Sequence, residues 1–265
     1  MKRKKIIFIS IFIILVILFV VLLTNVLGIF FNKSNCENVY LDFASKNENT
    51  IFSINKIVLF SNCNAKNKNA VASNFTIENL YQYTDIAIFL NNNNQDNNLE
   101  NTLKSVKLEN LQYVEKPSIG SQKLAYKNLT SFAESIIPED NIFEKDLNFS
   151  ISSNDSEDLT TPTLYNNCAN PIVLSYINEN IKNDYTITDT SSPITYDGSL
   201  LKKCGVLLNS LQCKISFDII ITNNLDQEFK CTVYIEPPLE NGDKSLYDGA
   251  LTLTQNCNYN FIRYK

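Results

Sequence analysis

The sequence contains no histidine and no tryptophan, one methionine and six glycines among 265 residues. Without histidine, the chain cannot form the serine–histidine–aspartate or cysteine–histidine sites of many hydrolases and transpeptidases. Zinc sites also depend on histidine or on closely spaced cysteine pairs, and the sequence has no C-x-x-C motif. We therefore predict no catalytic residue, no cofactor and no metal ligand.

Acidic residues are missing before Glu37, whereas Lys2-Arg3-Lys4-Lys5 directly precedes a long apolar run. This run covers residues 6–23 and continues with weaker hydropathy to Phe31, which is long enough for a helix to cross a bilayer. The basic cluster places the N-terminus in the cytoplasm and the following residues outside. We predict a cytoplasmic stub and membrane anchor over 1–31, with 6–31 in contact with the bilayer. A cleaved signal peptide is the alternative, but its small-residue cleavage site is missing.

The region after the anchor is acidic. It contains 19 of the 23 basic residues and all 28 acidic residues, which gives a net charge of −9. Nucleic acid requires a cationic surface, so we expect no nucleic-acid partner.

All seven cysteines follow the predicted anchor, where an oxidising environment favours disulfides over free thiols. We expect a disulfide framework with undetermined connectivity. Because the number is odd, at least one thiol stays free or links two chains into an oligomer. The cysteines are Cys36, Cys63, Cys168, Cys204, Cys213, Cys231 and Cys257.

Two segments near the C-terminus, 213–222 and 229–236, alternate apolar and polar residues across a polar turn, which predicts a β-hairpin. The hairpin pairs Cys231 with Phe217 or Ile219, so Cys213 lies too far along the sheet to bridge Cys231. Each should instead reach Cys168, Cys204 or Cys257. Further short strands predict a mainly β fold of β-sandwich, Greek-key-like type. The one helical candidate is 128–137.

A phrase recurs in the chain: "YVEKP" at 113–117 resembles "YIEPP" at 234–238, and each follows an apolar strand and an asparagine turn. The common order of these matches predicts a tandem repeat of two β-domains, 36–137 and 138–265. A single large β-domain is the alternative. In two separate domains, nothing would bring Glu115 and Glu236 within the roughly 5–10 Å that a glycosidase pair needs.

Three classes of function remain. The first is a non-enzymatic binding or adhesion module at the cell surface, whose ligand is a surface protein or a wall glycan. The second is a structural subunit of a surface or secretion assembly, and the third is a hydrolase that depends on carboxylates. Calcium could be bound by the acidic loops 152–159 and 240–249, although neither has the EF-hand order.

Overall fold

The computed structural model describes residues 51–71, 74–92, 103–138, 142–143, 146–150, 171–188 and 191–264. These residues are mainly β-strands in two five-stranded antiparallel sheets, which confirms the mainly β part of the predicted fold class. They belong to one compact unit, Thr50–Lys265.

Sheet 1 contains β1 (Phe52–Val71), β2 (Asn74–Asn92), β4 (Ser121–Tyr126), β6 (Ile172–Ile187) and β11 (Leu251–Asn260). Its strand order is β11-β1-β2-β6-β4. The two longest strands, β1 and β2, form a hairpin, and β6 pairs with β2.

Sheet 2 contains β3 (Leu103–Glu115), β5 (Leu147–Ser150), β7 (Lys214–Asn223), β8 (Glu228–Ile235) and β12 (Ile262–Arg263). Its strand order is β12-β8-β7-β3-β5. A small hairpin of β9 (Glu240–Asn241) and β10 (Lys244–Ser245) stands apart from both sheets, and one short helix, α1 (Ser199–Lys203), precedes β7. Short 3₁₀ turns cover Leu129–Ser131, Leu208–Leu211 and Leu246–Asp248.

The first hydrophobic core lies between the two sheets. Ile86 and Leu174 of sheet 1 and Phe217 and Val233 of sheet 2 are buried in it. Period-two alternation places such residues on one face of each strand, so the two apolar faces cover each other. This arrangement is consistent with a β-sandwich.

A second hydrophobic core extends along sheet 1. Leu80 of β2 and Ile181 of β6 pack there against Leu200 and Leu201 of α1 and against Leu246 of a 3₁₀ turn. Short helical elements, rather than strands of sheet 2, therefore cover this part of sheet 1.

The chain does not divide at 137/138 as the two-domain prediction requires. Strands from 36–137 pair directly with strands from 138–265 in both sheets: β1 with β11, β2 with β6, and β3 with β7. The repeated phrase marks a local resemblance between segments that have different partners. The β7 and β8 strands form a hairpin, whereas β2 and β3 enter different sheets.

The helical candidate 128–137 is wrong for most of its length. Only Leu129–Ser131 forms a 3₁₀ turn, which the Asn128 side chain caps by accepting a hydrogen bond from the Thr130 backbone N–H. Ala133 then has a φ of 66°, which no right-handed helix can accommodate.

The predicted membrane anchor, 6–31, lies outside the described residues. Within the part of the chain that the structure describes, no helix is long and apolar enough to cross a membrane.

The predicted C-terminal hairpin is confirmed, with Cys231 opposite Ile219. On the side of the hairpin that faces away from the core, the buried Asp218 accepts hydrogen bonds from Asn110 (2.7 Å), Thr232 (2.6 Å) and Lys230 (2.6 Å). Burial raises the pKa of Asp218, but these three hydrogen bonds outweigh burial, so the pKa lies below its ordinary value of 3.8.

We expect Asp218→Asn to lower the free energy of unfolding at pH 7 by about 1–3 kcal/mol, because charge-assisted hydrogen bonds are lost. A depressed pKa contributes stability above the unfolded value, and this stability is lost as the pH falls through the folded value. The variant should therefore lose less stability than wild type between pH 5 and pH 2, measured by urea unfolding. Asp226→Asn, at an exposed ion pair with Lys104, is the control and should keep the wild-type pH dependence. If Asp218→Asn loses as much stability as the wild type between pH 5 and pH 2, the Asp218 carboxylate does not contribute to this pH dependence.

Candidate functional site

An open cleft of about 460 Å³ lies at one end of sheet 2. It forms where β3 and β8 end and β7 begins. Because β3 and β8 both run antiparallel to β7, these three chain positions meet at the same edge of the sheet. They carry Glu115, Lys214 and Glu236.

Glu115 and Glu236 come together across the first residue of β7. Glu115 pairs with Lys214 in the β3–β7 register, and the Lys214 ammonium donates a 2.6 Å hydrogen bond to Glu236 Oε1. One strand separates the two glutamates, so their Cα atoms lie about 10 Å apart at ordinary strand spacing. The expectation that nothing brings these glutamates together is therefore wrong, since both line one cleft.

The remaining cleft wall combines a third carboxylate, amides and apolar side chains. Glu240 follows the two prolines after β8, and Gln255 of β11 faces the cleft from sheet 1. The other polar lining residues are Asn209 and Gln212, and the apolar lining residues are Leu208, Pro237, Pro238, Leu239 and Leu253.

The carboxylates of the cleft are accessible to solvent. Glu236 has 63% of its side chain exposed, and its neighbour Tyr234 is half exposed, whereas Ile235 between them is buried. This confirms the predicted alternation in "YIEPP". The hydrogen bond to Glu236 and the charge of this residue raise the pKa of Lys214, so the ammonium remains charged and is paired with Glu236 beside the cleft.

Cys213 lies at the inner wall of the cleft and is 6% exposed. Burial, with a smaller contribution from the negative charge of Glu115, raises the pKa of this thiol although Tyr176 has the opposite effect. A thiol with a raised pKa is protonated at neutral pH and is a poor nucleophile. Cys213 is therefore not activated as a nucleophile.

The chemistry of the cleft favours a ligand with a cationic group and apolar parts. Three carboxylates line the cleft and, among the described residues, only Glu236 is paired, with the adjacent Lys214, so an excess of negative charge remains. Carboxylate and amide oxygens accept hydrogen bonds. Prolines and leucines provide apolar contacts. None of the described residues that line the cleft is aromatic, so it offers no stacking surface for a sugar ring.

Comparison with known proteins finds no matching family model, no matching curated protein and no matching solved structure. The function must therefore be inferred from the arrangement of residues in this chain.

Metal binding finds no support within the described ranges. In those residues, no group of three or more histidine, cysteine, aspartate or glutamate side chains is placed to hold a metal ion. Of the two acidic loops, 152–159 lies outside the described residues. In 240–249, Asp248 accepts hydrogen bonds from the backbone N–H and the hydroxyl of Ser245, which caps the following 3₁₀ turn.

The five described cysteines are free thiols, so none of the predicted disulfides is present among the residues that the structure describes. Cys36 and Cys168 lie outside the described residues. The described cysteines are Cys63, Cys204, Cys213, Cys231 and Cys257.

A second cluster of reactive side chains lies on the outer face of sheet 1. Asp85 accepts hydrogen bonds from the Lys127 ammonium (2.7 Å), the Ser175 hydroxyl (2.7 Å) and the Ala133 N–H (2.8 Å). The side chains of Lys127 and Asp85 are 1% and 0% exposed. A substrate cannot reach them, so the cluster has a structural role.

The segment 127–138 closes over this cluster. Lys127 also donates a hydrogen bond to the Glu134 carbonyl, and the hydroxyls of Tyr81 and Tyr83 donate to the carbonyls of Ser135 and Ala133. Burial raises the pKa of Asp85 and lowers the pKa of Lys127, because it disfavours both charged forms, and each charge is maintained by the other.

Sequence reasoning missed this cluster and the role of Lys214. The signal for the cluster was Asp85 at the start of the apolar run "DIAIFL", where a charge on a central strand requires a partner. For Lys214 there was no local signal, because its neighbours across the sheet depend on β3 pairing with β7.

Removing one member of the buried pair should destabilise the protein strongly. We expect Lys127→Met or Asp85→Asn alone to lower the free energy of unfolding by about 3–5 kcal/mol, since each leaves a buried charge without its partner. The double variant contains no unpaired charge, and the asparagine introduced at position 85 can still accept a hydrogen bond from Ser175. It should therefore be more stable than the less stable single variant, measured by chemical denaturation. Single variants within 1 kcal/mol of wild type would contradict this role.

Proposed function

We propose that the chain is a membrane-anchored, extracytoplasmic binding module that is not an enzyme, and that its cleft binds a basic, partly apolar segment of a partner protein. The carrying observation is the open cleft where Glu115, Glu236 and Glu240 surround an apolar wall. Localisation is supported by the basic cluster 2–5 followed by the apolar run 6–31.

A protein ligand is favoured over a wall glycan by the composition of the cleft. Sugar-binding surfaces use aromatic faces, and the described lining has none. An arginine or lysine side chain matches the carboxylates, and its aliphatic stem matches Pro237, Pro238 and Leu253. The net charge of −9 after the anchor adds a long-range attraction for basic partners.

A carboxylate-dependent hydrolase is the second candidate, because Glu115 and Glu236 line the same cleft. Against it, Glu236 already accepts a hydrogen bond from Lys214, and an acid catalyst must hold a proton to donate. The pairing supports a charged recognition surface better than a proton donor.

Binding can be tested with the full chain in detergent and fluorescent peptides that alternate lysine or arginine with leucine. We expect saturable binding that weakens with salt, and an affinity on the order of tenfold lower in the Glu115→Gln/Glu236→Gln variant. The matched control is Glu78→Gln/Glu134→Gln, which changes the net charge equally at two exposed sites outside the cleft.

If both double variants lose the same amount of affinity, the peptide does not bind in the cleft. If peptides with glutamate in place of the basic residues bind equally well, binding in the cleft is also contradicted. Binding of wall oligosaccharides without binding of basic peptides would overturn the ligand class. Hydrolysis of an oligosaccharide that disappears in both Glu115→Gln and Glu236→Gln would establish the enzyme instead.

Localisation has a separate test. We expect the full chain to remain in the membrane fraction after alkaline carbonate extraction, and externally added protease to digest the region after residue 31 in intact cells. A variant without residues 6–31 should be absent from the carbonate-resistant fraction. Protection of the C-terminal region in intact cells would contradict the proposed orientation.

A further inference from the structure

Four of the five described cysteines fall into two neighbouring pairs that the fold brings together from distant parts of the chain. Cys63 and Cys204 lie in the second core, and Cys231 and Cys257 lie at the first core. The members of the first pair are 141 residues apart in sequence, and those of the second are 26 apart. Neither pair could be assigned from spacing.

The first pair lies where α1 packs on β1. Cys63 is on β1, opposite Gln82 of β2, and is fully buried. Cys204 ends α1, its backbone N–H donates to the Leu200 carbonyl, and its side chain is buried in the same core. The α1 helix contacts β1, and both thiols are buried in the same apolar core. Burial raises the pKa of Cys63, and the nearby Cys204 raises it further.

The second pair lies where the chain crosses from sheet 1 to sheet 2. After Cys257, β11 ends and Phe261 donates a backbone hydrogen bond to the Phe52 carbonyl. The chain then enters β12, where Ile262 pairs with Lys230, the residue before Cys231. The backbone thus passes from Cys257 to a position beside Cys231 within a few residues.

Strands β8 and β11 are also in contact, and both side chains pack on the first core. Burial, followed by the nearby Cys257, raises the pKa of Cys231 to about 12.

Cys213 belongs to neither pair. Cys231 lies opposite Ile219, six residues along β7 from Cys213, which corresponds to about 20 Å. A disulfide tolerates Cα separations of only about 7 Å. The surroundings of Cys213 are Tyr176 and the cleft wall.

We propose that the protein in its oxidising compartment carries two disulfides, Cys63–Cys204 and Cys231–Cys257, while Cys213 remains outside both. The formation of these bonds in the cell rests on the extracytoplasmic location proposed above. In each reaction two thiols lose two protons and two electrons and form one S–S bond. An external disulfide, such as oxidised glutathione or a thiol oxidoreductase, accepts them and is cleaved to two thiols.

The first disulfide would have a structural consequence. Short helical elements, which include α1, cover the second core. A covalent link between Cys63 and Cys204 would hold this cover on β1 and would reduce the entropy of the unfolded chain.

Peptide mapping of the full chain tests the pairing. The chain is isolated from an oxidising compartment, alkylated without reduction and digested with trypsin. Cys63 falls in peptide 57–66, Cys231 in 231–244 and Cys257 in 245–263, but Cys204 and Cys213 share 204–214. The Cys213→Ser variant removes this ambiguity, so a linked pair containing 204–214 then reports Cys204.

We expect 57–66 linked to 204–214 and 231–244 linked to 245–263, each two hydrogen masses lighter than the reduced peptides. Links in any other combination, including links to Cys36 or Cys168, would overturn the pairing. Purified reduced chain treated with oxidised glutathione separates the two proposals. If the expected links form only after this treatment, the pairing is upheld and the extracytoplasmic location is contradicted. If all the thiols are still alkylated after the treatment, the pairing is overturned.

Thermal unfolding provides a second readout. Reduction of the oxidised protein should lower the melting temperature by roughly 5–15 °C. In Cys63→Ser and in Cys204→Ser, reduction should lower the melting temperature less than in the wild type, because the first disulfide is already missing. The double variant should melt close to the single variants. Cys213→Ser is the control and should keep the full effect of reduction. Additive losses in the double variant would indicate separate packing effects and would contradict a bond.

Discussion

The pairing of β3 with β7 is the constraint on which the cleft and the sheet architecture depend. This contact joins a strand from the first half of the chain to a hairpin from the second half, and it completes the centre of sheet 2. It also sets the register that places Glu115 opposite Lys214, next to Glu236. Without it, the two glutamates would belong to separate surfaces, and the negative cleft would not exist.

Two different solutions protect sheet 1 from solvent. On its inner face, sheet 2 and the short helical elements supply apolar side chains to the two cores. On part of its outer face, the segment 127–138 is held by the buried pair of Lys127 and Asp85 and by two tyrosine hydroxyls. Such a pair adds little net stability, since desolvation offsets the attraction. Its hydrogen bonds to the Ala133 N–H and the Glu134 carbonyl nevertheless hold the segment in place. The polar contacts therefore determine where this segment lies.

Local sequence patterns predicted the C-terminal hairpin well. Alternation indicated which residues of β7 and β8 face the core, and the turn length left Phe217 and Ile219 as partners of Cys231, of which the structure has Ile219. The same reasoning failed for 128–137, where helical spacing was outweighed by carbonyl groups that bind Tyr81 and Tyr83. It also failed for the repeat, because the resemblance between two strand endings says nothing about which strands pair with them.

By itself, the sequence determined the strand-rich character, the direction of alternate side chains, the acidic surface after the apolar run and the exclusion of histidine chemistry. These properties depend on composition or on neighbours a few residues apart. Only the tertiary structure decided which strands share a sheet, which cysteines are neighbours, and that Glu115, Lys214 and Glu236 meet. Every strand edge offers the same backbone donors and acceptors, so long-range pairing is selected by the packing of whole faces and cannot be inferred from one segment.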